Sequence, residues 1–237
     1  MDLSGAYVWV LDTGLASAAD LQRAEAVLSP DELSRLRWFR READRRAYLL
    51  AHWLARCVLA QAAECAPQEL CFANGPHGRP CVAAPPQAAS LAFNLSHSAR
   101  WVGVIVSRLG PIGLDIERVD PAIDPLDMAA RILTLAETDA LQALSPGERS
   151  ARFFRLWTLK EAYLKARGLG LAGDPASFSF ELPENGTAIF RPPPEDAIPW
   201  RFHAAVLDDR HYLAACYPAT CGELHIKDGR ALLRGEG

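Results

Sequence analysis

The sequence predicts an α+β protein whose two halves each carry sheet and helix, and three observations support this. Short β-branched or aromatic runs recur at both ends of the chain, at 6–11, 91–95, 101–107 and 112–118 and again at 200–207 and 211–217. Two long stretches without a breaker, 41–63 and 145–168, read as helices. Half of the 237 residues are apolar, so either one large domain or two small fused ones could bury a full core.

In chain order, Ala6 to Leu11 opens as a strand that Asp12-Thr13-Gly14 ends, and Ser17 can cap a short helix through Leu28. Ser29-Pro30-Asp31-Glu32 is a capping-box pattern with proline at the first helical position, and its helix presents Arg35 and Arg37. Arg41 to Ala63 is a long helix with leucines and alanines on its buried face. Next, Leu70–Ala73 and Cys81-Val82 flank Asn74-Gly75-Pro76-His77-Gly78-Arg79-Pro80. Two glycines and two prolines hold this loop tight enough for backbone to approach a ligand.

Leu91 to Leu95 is a strand ending in Ser96-His97-Ser98, where a hydroxyl and an imidazole can donate to phosphate oxygens. Trp101–Ser107 and Ile112–Arg118 are strands split by a Leu109-Gly110-Pro111 turn. Pro121 and Pro125 shape a loop into a helix near Met128, and Thr134-Leu135-Ala136-Glu137 signals another. Ser145-Pro146-Gly147-Glu148 starts a helix over 146–167 that Gly168 stops. From Ser177 the chain returns to strands: Phe178–Leu182, an Asn185-Gly186 hairpin turn, Ala188–Arg191, then Trp200–Leu207 paired across Asp208-Asp209 with His211–Tyr217. Pro192-Pro193-Pro194 reads as a linker, and the last residues from Gly222 are polar enough to fray.

Candidate chemistry gathers between Pro111 and Lys165. Asp115 and Glu117 alternate with Leu114 and Ile116, so both carboxylates share one strand face about 6.5 to 7 Å apart, a spacing that suits one hard cation. On the helix, Trp157, Lys160, Glu161, Leu164 and Lys165 fall at spacings of three and four, giving a carboxylate flanked by two ammonium groups. Three carboxylates and two lysines suit a divalent cation held beside a polyphosphate. A Glu-to-Lys pair four apart is also an ordinary surface pair of small worth. Composition argues against that alternative: the chain has 22 arginines and three lysines, Lys160, Lys165 and Lys227. A compact ammonium kept against such a bias points to a point-charge contact with phosphate.

A formal charge of −4 argues against a general nucleic-acid coat. The six cysteines lack Cys-x-x-Cys or zinc-finger spacing and read as reduced cytosolic residues, and nothing indicates cysteine or nucleophile-triad chemistry. The first residues lack a positive segment before an apolar run, and no stretch approaches the ~20 apolar residues of a membrane span. A soluble cytoplasmic protein is expected, with neither nucleic acid nor membrane as partner.

Gly113-Leu114-Asp115-Ile116-Glu117, Trp157-Thr158-Leu159-Lys160-Glu161-Ala162-Tyr163-Leu164-Lys165, Phe93-Asn94-Leu95-Ser96-His97-Ser98 and Gly78-Arg79-Pro80 resemble, in order and spacing, the motifs of the surfactin-synthetase-activating type of 4′-phosphopantetheinyl transferase. The resemblance runs from Gly78 to Lys165 and more loosely from Ser29 to Leu59. It implies a pseudo-duplicated α+β fold, with residues 1–108 as an amino-terminal half for the coenzyme A nucleotide and 109–237 as a half holding the metal site and the carrier-docking insertion. The site then lies in the cleft between halves. Because that cleft is complete within one chain, a monomer is implied.

The implied activity is Mg²⁺-dependent transfer of the 4′-phosphopantetheine arm of coenzyme A to a serine of an acyl or peptidyl carrier protein, releasing adenosine 3′,5′-bisphosphate. Mn²⁺ is expected to substitute. Asp115, Glu117 and Glu161 would hold the metal, and Glu161, or a water it positions on the metal, would take the serine proton. Asp115 and Lys165 complete the catalytic set. Toward coenzyme A the resemblance implies Arg35 on the 3′-phosphate, Arg79 at the adenine and ribose end, and Ser96 and His97 on the phosphates. Asp115, Lys160 and Lys165 are further contacts there, as is Arg46, from a stretch richer in arginine in the family and broken here by Ala47. Glu32 stands where the family often has a second cation. The rival readings are a non-catalytic carrier-protein or nucleotide-binding module of the same fold and an arginine-rich nucleic-acid binder.

Overall fold

The computed structural model describes residues 3–75, 78–183 and 187–235. Its elements in order are β1 (Ala6–Asp12), α1 (Ala18–Glu25), α2 (Pro30–Leu36), α3 (Glu42–Ala63), β2 (Cys71–Asn74), β3 (Pro80–Ala84), β4 (Ala92–Ser98), β5 (Trp101–Ser107), β6 (Gly113–Arg118), α4 (Pro125–Ile132), α5 (Leu135–Gln142), α6 (Pro146–Arg167), β7 (Ser179–Glu181), β8 (Ile189–Arg191), β9 (Trp200–Asp208), β10 (His211–Pro218), β11 (Leu224–Asp228) and α7 (Arg230–Leu233), with short 3₁₀ turns between some of them.

The two 22-residue helices, α3 and α6, have ends written in the sequence. Glu64 closes α3 in a left-handed conformation, and Gly168 does so for α6 at φ 66°, where glycine carries no Cβ penalty. The Ser145 and Glu148 pair forms the expected capping box at the start of α6.

Each long helix lies on its own sheet. One sheet has the order β11-β1-β5-β4 and the other β6-β10-β9, with β2-β3 and β7-β8 as separate hairpins. Alternation along β1 explains the layering. Trp9 and Leu11 point to α3 and join Leu50, Leu54 and Val58, whereas Val8 and Val10 point to the second sheet and meet Leu114, Ile116 and Leu213. Phe153, Leu159 and Ala162 of α6 pack on the far face of that sheet against Ala214 and Cys216. The order is therefore helix, sheet, sheet, helix, and inner strands buried on both faces read as continuous apolar runs.

The two similar halves are present, but their boundary differs from expectation at the carboxyl end. β11 crosses back to pair in parallel with β1, from Ala6 with Leu224 to Val10 with Asp228, and Leu233 of α7 is buried in the α3 core. Residues 224–233 therefore belong to the amino-terminal sheet rather than fraying. Polar letters hid this, because an edge strand needs only main-chain pairing and a few apolar contacts. The expected Asn185-Gly186 turn lies outside the described residues, as do Pro76 and His77 of the loop.

Candidate active site

β4 ends one sheet and β6 ends the other, and side chains join these edges. Asn94 Oδ1 accepts the Leu114 N–H at 2.9 Å, Ser96 Oγ the Ile116 N–H at 3.1 Å, and Ser98 Oγ the Arg118 N–H at 3.1 Å. Residues two apart on a strand share a face, so one polar stripe on β4 satisfies alternate donors of β6. Sequence reasoning missed Asn94 and Ser98; the polar alternation at 94, 96 and 98 was the available signal. Ser96, His97 and Ser98 are the last three residues of β4, as expected.

β6 lies close under α6. A Cβ on Gly113 would collide with the Ala162 carbonyl oxygen and the Ala166 nitrogen, so only glycine permits this approach. It brings Asp115 and Glu117 beneath Glu161 and Lys165. Lys165 Nζ donates to Asp115 Oδ1 at 2.7 Å and to Ser96 Oγ at 3.1 Å, while Ser96 Oγ donates to the same carboxylate oxygen at 3.2 Å. Asp115 Oδ2 is buried and has no hydrogen-bond partner among the described residues.

This cluster carries more negative charge than one ammonium offsets. Burial and then the Asp115 charge push the Glu117 carboxyl up to about 7; Lys165 opposes this and Glu161 adds to it. Glu161 is raised by burial and then by Asp115, against Lys165. His97 is lowered by desolvation of its ring, then by Lys165 and His52, and Asp44 opposes this. Among the described residues no three His, Cys, Asp or Glu side chains stand close enough to hold a metal ion unaided. The expected three-carboxylate site is therefore not assembled by protein alone, and Lys165 occupies one Asp115 oxygen instead.

A cavity of about 610 Å³ opens in the amino-terminal half, lined by Arg35, Glu32, His52, Arg56, Phe72 and Phe93 among others. Arg35 is exposed there. Glu32 explains its departure from the family pattern. Its Oε2 accepts from Arg56 Nε at 2.8 Å and the Ser29 N–H at 2.8 Å, and its Oε1 meets His52 Nδ1 at 2.9 Å. Burial alone would raise this carboxyl, but these partners outweigh it and hold it at about 2. Arg56, itself buried, also donates to the carbonyls of Pro67 at 2.9 Å and Leu70 at 3.0 Å.

Four expected coenzyme A contacts have other duties. Lys160 is fully buried, with Nζ 2.8 Å from Glu137 Oε2, 2.8 Å from the Pro175 carbonyl and 2.6 Å from that of Phe178. Lys160 and Lys165 are five residues apart, about 140° around a helix, so the same helix sends one into the core and the other to the cleft. Arg46 donates to the carbonyls of Thr13 and Ala16 and ties that turn to α3. Arg79 donates to the Lys165, Ala166 and Ile112 carbonyls at 3.1, 2.9 and 2.8 Å, capping the end of α6. The Ser96 hydroxyl is spent on Asp115, Lys165 and the Ile116 N–H.

The family model described as 4′-phosphopantetheinyl transferase superfamily matches residues 111–216, and that described as 4′-phosphopantetheinyl transferase, N-terminal, matches residues 15–109. A 4′-phosphopantetheinyl transferase of Bacillus subtilis is 31% identical over 92% of this chain and 95% of its own. The 4′-phosphopantetheinyl transferase psf-1 of Bacillus pumilus is 33% identical over 80% of this chain and 78% of its own. The transferase Sfp of Bacillus subtilis strain 168 is 30% identical over 84% and 86%. The two matched spans meet at the seam where β5 hands over to β6, and relatives similar along nearly the whole length agree with both: this chain belongs to the 4′-phosphopantetheinyl transferase superfamily, of the Sfp type.

Proposed function

We propose that this chain transfers the 4′-phosphopantetheine arm of coenzyme A to a serine hydroxyl of an acyl or peptidyl carrier protein and releases adenosine 3′,5′-bisphosphate. The observation that carries the reading is the convergence of Asp115, Glu117, Glu161 and Lys165 on one seam between two lobes. Relatives that span most of this chain bear the transferase name. Arg35 in the amino-terminal cavity would meet the 3′-phosphate, and His97 and Lys165 the pyrophosphate.

The donor set fits Mg²⁺. Asp115 Oδ2 is a buried carboxylate oxygen without a hydrogen-bond partner among the described residues, and the raised Glu117 and Glu161 carboxyls mark a place where positive charge is wanted. Asp115, Glu117 and Glu161 would hold the ion with help from substrate oxygens, and Mn²⁺ would serve as well. Such an ion, held by Asp115, Glu117 and Glu161, would supply positive charge against the pyrophosphate.

The residues of the chain do the rest. Lys165, bridging Asp115 and Ser96, supplies a second positive charge at the seam. Glu161, whose carboxyl is pushed up from its ordinary value by burial and the Asp115 charge, is suited to take the serine proton. The α4–α5 insertion, where Leu135 is 78% exposed, gives a carrier protein an apolar contact. A single polypeptide contains the whole cleft, which supports a monomer, and six free cysteines suit the cytoplasm. No helix among the described residues is long and apolar enough to cross a membrane.

Incubation with coenzyme A, Mg²⁺ and an apo carrier, read by intact mass, tests the reading. A carrier that gains one phosphopantetheine supports it, and an unchanged carrier beside a working reference transferase overturns it.

A further inference from the structure

A groove of about 390 Å³ lies between the amino-terminal half of α6 and the β9–β10 edge, lined by Arg155, Thr158, Ala204, Val206, Tyr212 and Ala214 among others. It continues the acidic seam. Strand register places Asp115 beside Ala214 and Glu117 beside Tyr212, and then Ala214 beside Ala204 and Tyr212 beside Val206. Facing side chains of paired residues share one surface, so acids and groove form a single row across β6, β10 and β9. Neighbouring strands are about 4.8 Å apart, which puts the groove roughly 10 Å from the carboxylates. The helix agrees, because Arg155, Thr158, Glu161 and Lys165 fall at spacings of three and four along α6.

Two residues of this groove, Val206 and Arg155, have no evident structural duty. Val206 is 65% exposed on an otherwise apolar face. Arg155 is half-buried and makes no hydrogen bond or ion pair among the described residues, unlike its neighbour Arg152, which donates to the Leu182 carbonyl at 2.6 Å. The floor is alanine, which leaves room for a partner's side chain.

Reaction geometry selects the occupant. In phosphoryl transfer the attacking and leaving oxygens lie roughly in line. The nucleotide leaves toward the amino-terminal lobe, where Arg35 and His97 stand, so the attacking hydroxyl must enter from the opposite side of Asp115. On that side lie β10, β9 and this groove.

Resting on the transferase reading above, we propose that the groove receives the protein acceptor. An apolar side chain of the acceptor seats over the exposed Ala204 beside Val206, and one of its carboxylates pairs with Arg155. The acceptor is thus a protein with an acidic, partly apolar surface next to its reactive serine.

The test is steady-state transfer to an apo carrier by the full chain and by Arg155→Glu and Val206→Glu, with coenzyme A binding followed by calorimetry and folding by thermal melting. Val206 is exposed on an edge strand, so its variant remains informative if Arg155→Glu folds poorly. The expected result is a KM for the carrier raised about tenfold or more in each variant, with kcat at saturating carrier and the coenzyme A Kd within about twofold of the unmodified chain. A carrier KM within about twofold in both folded variants would overturn the groove while leaving the transferase reading intact. No transfer by the unmodified chain would overturn the transferase reading and this inference with it.

Discussion

Ser96 Oγ and Asp115 Oδ1, on strands of different sheets, stand 3.2 Å apart, and Lys165 Nζ donates to both. One hydroxyl therefore touches both members of a direct ion pair, whose own separation is 2.7 Å. Ser96→Ala should leave the Ile116 N–H buried without its acceptor, costing about 1–3 kcal/mol in urea unfolding, and should lower kcat more than it weakens coenzyme A. Selective loss of coenzyme A affinity would instead make Ser96 a direct phosphate ligand.

Arg35 and Lys165 should separate by ligand. Arg35→Ala should weaken coenzyme A and hardly affect dephospho-coenzyme A, which lacks the 3′-phosphate, whereas Lys165→Ala should weaken both alike. Equal losses from Arg35→Ala on the two ligands would refute its assignment.

Glu161→Gln keeps size and hydrogen bonding and removes charge. Turnover at saturating Mg²⁺ should fall on the order of a hundred- to ten-thousand-fold, with coenzyme A affinity much less affected. A variant within about tenfold of the unmodified chain would reduce Glu161 to a helix-surface partner of Lys165.

Lys160→Met leaves the buried Glu137 carboxylate without its ammonium, and Glu137 also accepts the Phe180 N–H at 2.8 Å. Breaking such a pair should cost about 3–5 kcal/mol in denaturant unfolding. Coenzyme A affinity of the folded protein should be unchanged; its selective loss would return Lys160 to the ligand site.

Glu32 ties acid stability to the amino-terminal cavity. Its carboxyl titrates at about 2 in the folded chain against an ordinary 4.5, because His52, Ser29 and Arg56 outweigh its burial. A lowered pKa contributes stability that is full above 4.5 and lost as pH falls through about 2. Its size is on the order of 3 kcal/mol. Glu32→Gln should flatten the stability curve between those values, and an unchanged slope would exclude this origin.

Much of the frame was legible in the letters. Ser145, Pro146 and Gly168 bound α6 where the sequence puts its ends, and β5 spans the expected residues. Alternation around Asp115 and Glu117 placed both acids on one face. What stayed hidden has a common cause. Arg46, Arg79 and Lys160 spend their charge on main-chain carbonyls, which every residue carries and no sequence distinguishes. Counting helical threes and fours also merged two stripes, since Lys160 and Lys165 each fit a neighbour without facing the same way. Glu137 read only as a capping residue, yet the same carboxylate neutralises the buried lysine.

The return of β11 to β1 makes the order of synthesis matter. β1 emerges from the ribosome long before its parallel neighbour Leu224–Asp228, so one edge of the first sheet stays open until that distant segment has been translated. Between them come every strand and helix of the second lobe. The halves cannot mature one after the other as beads on a string would. Each nascent chain carries an unfinished sheet edge while the second lobe is being made, and contacts so distant in sequence are slow to form and prone to mispairing.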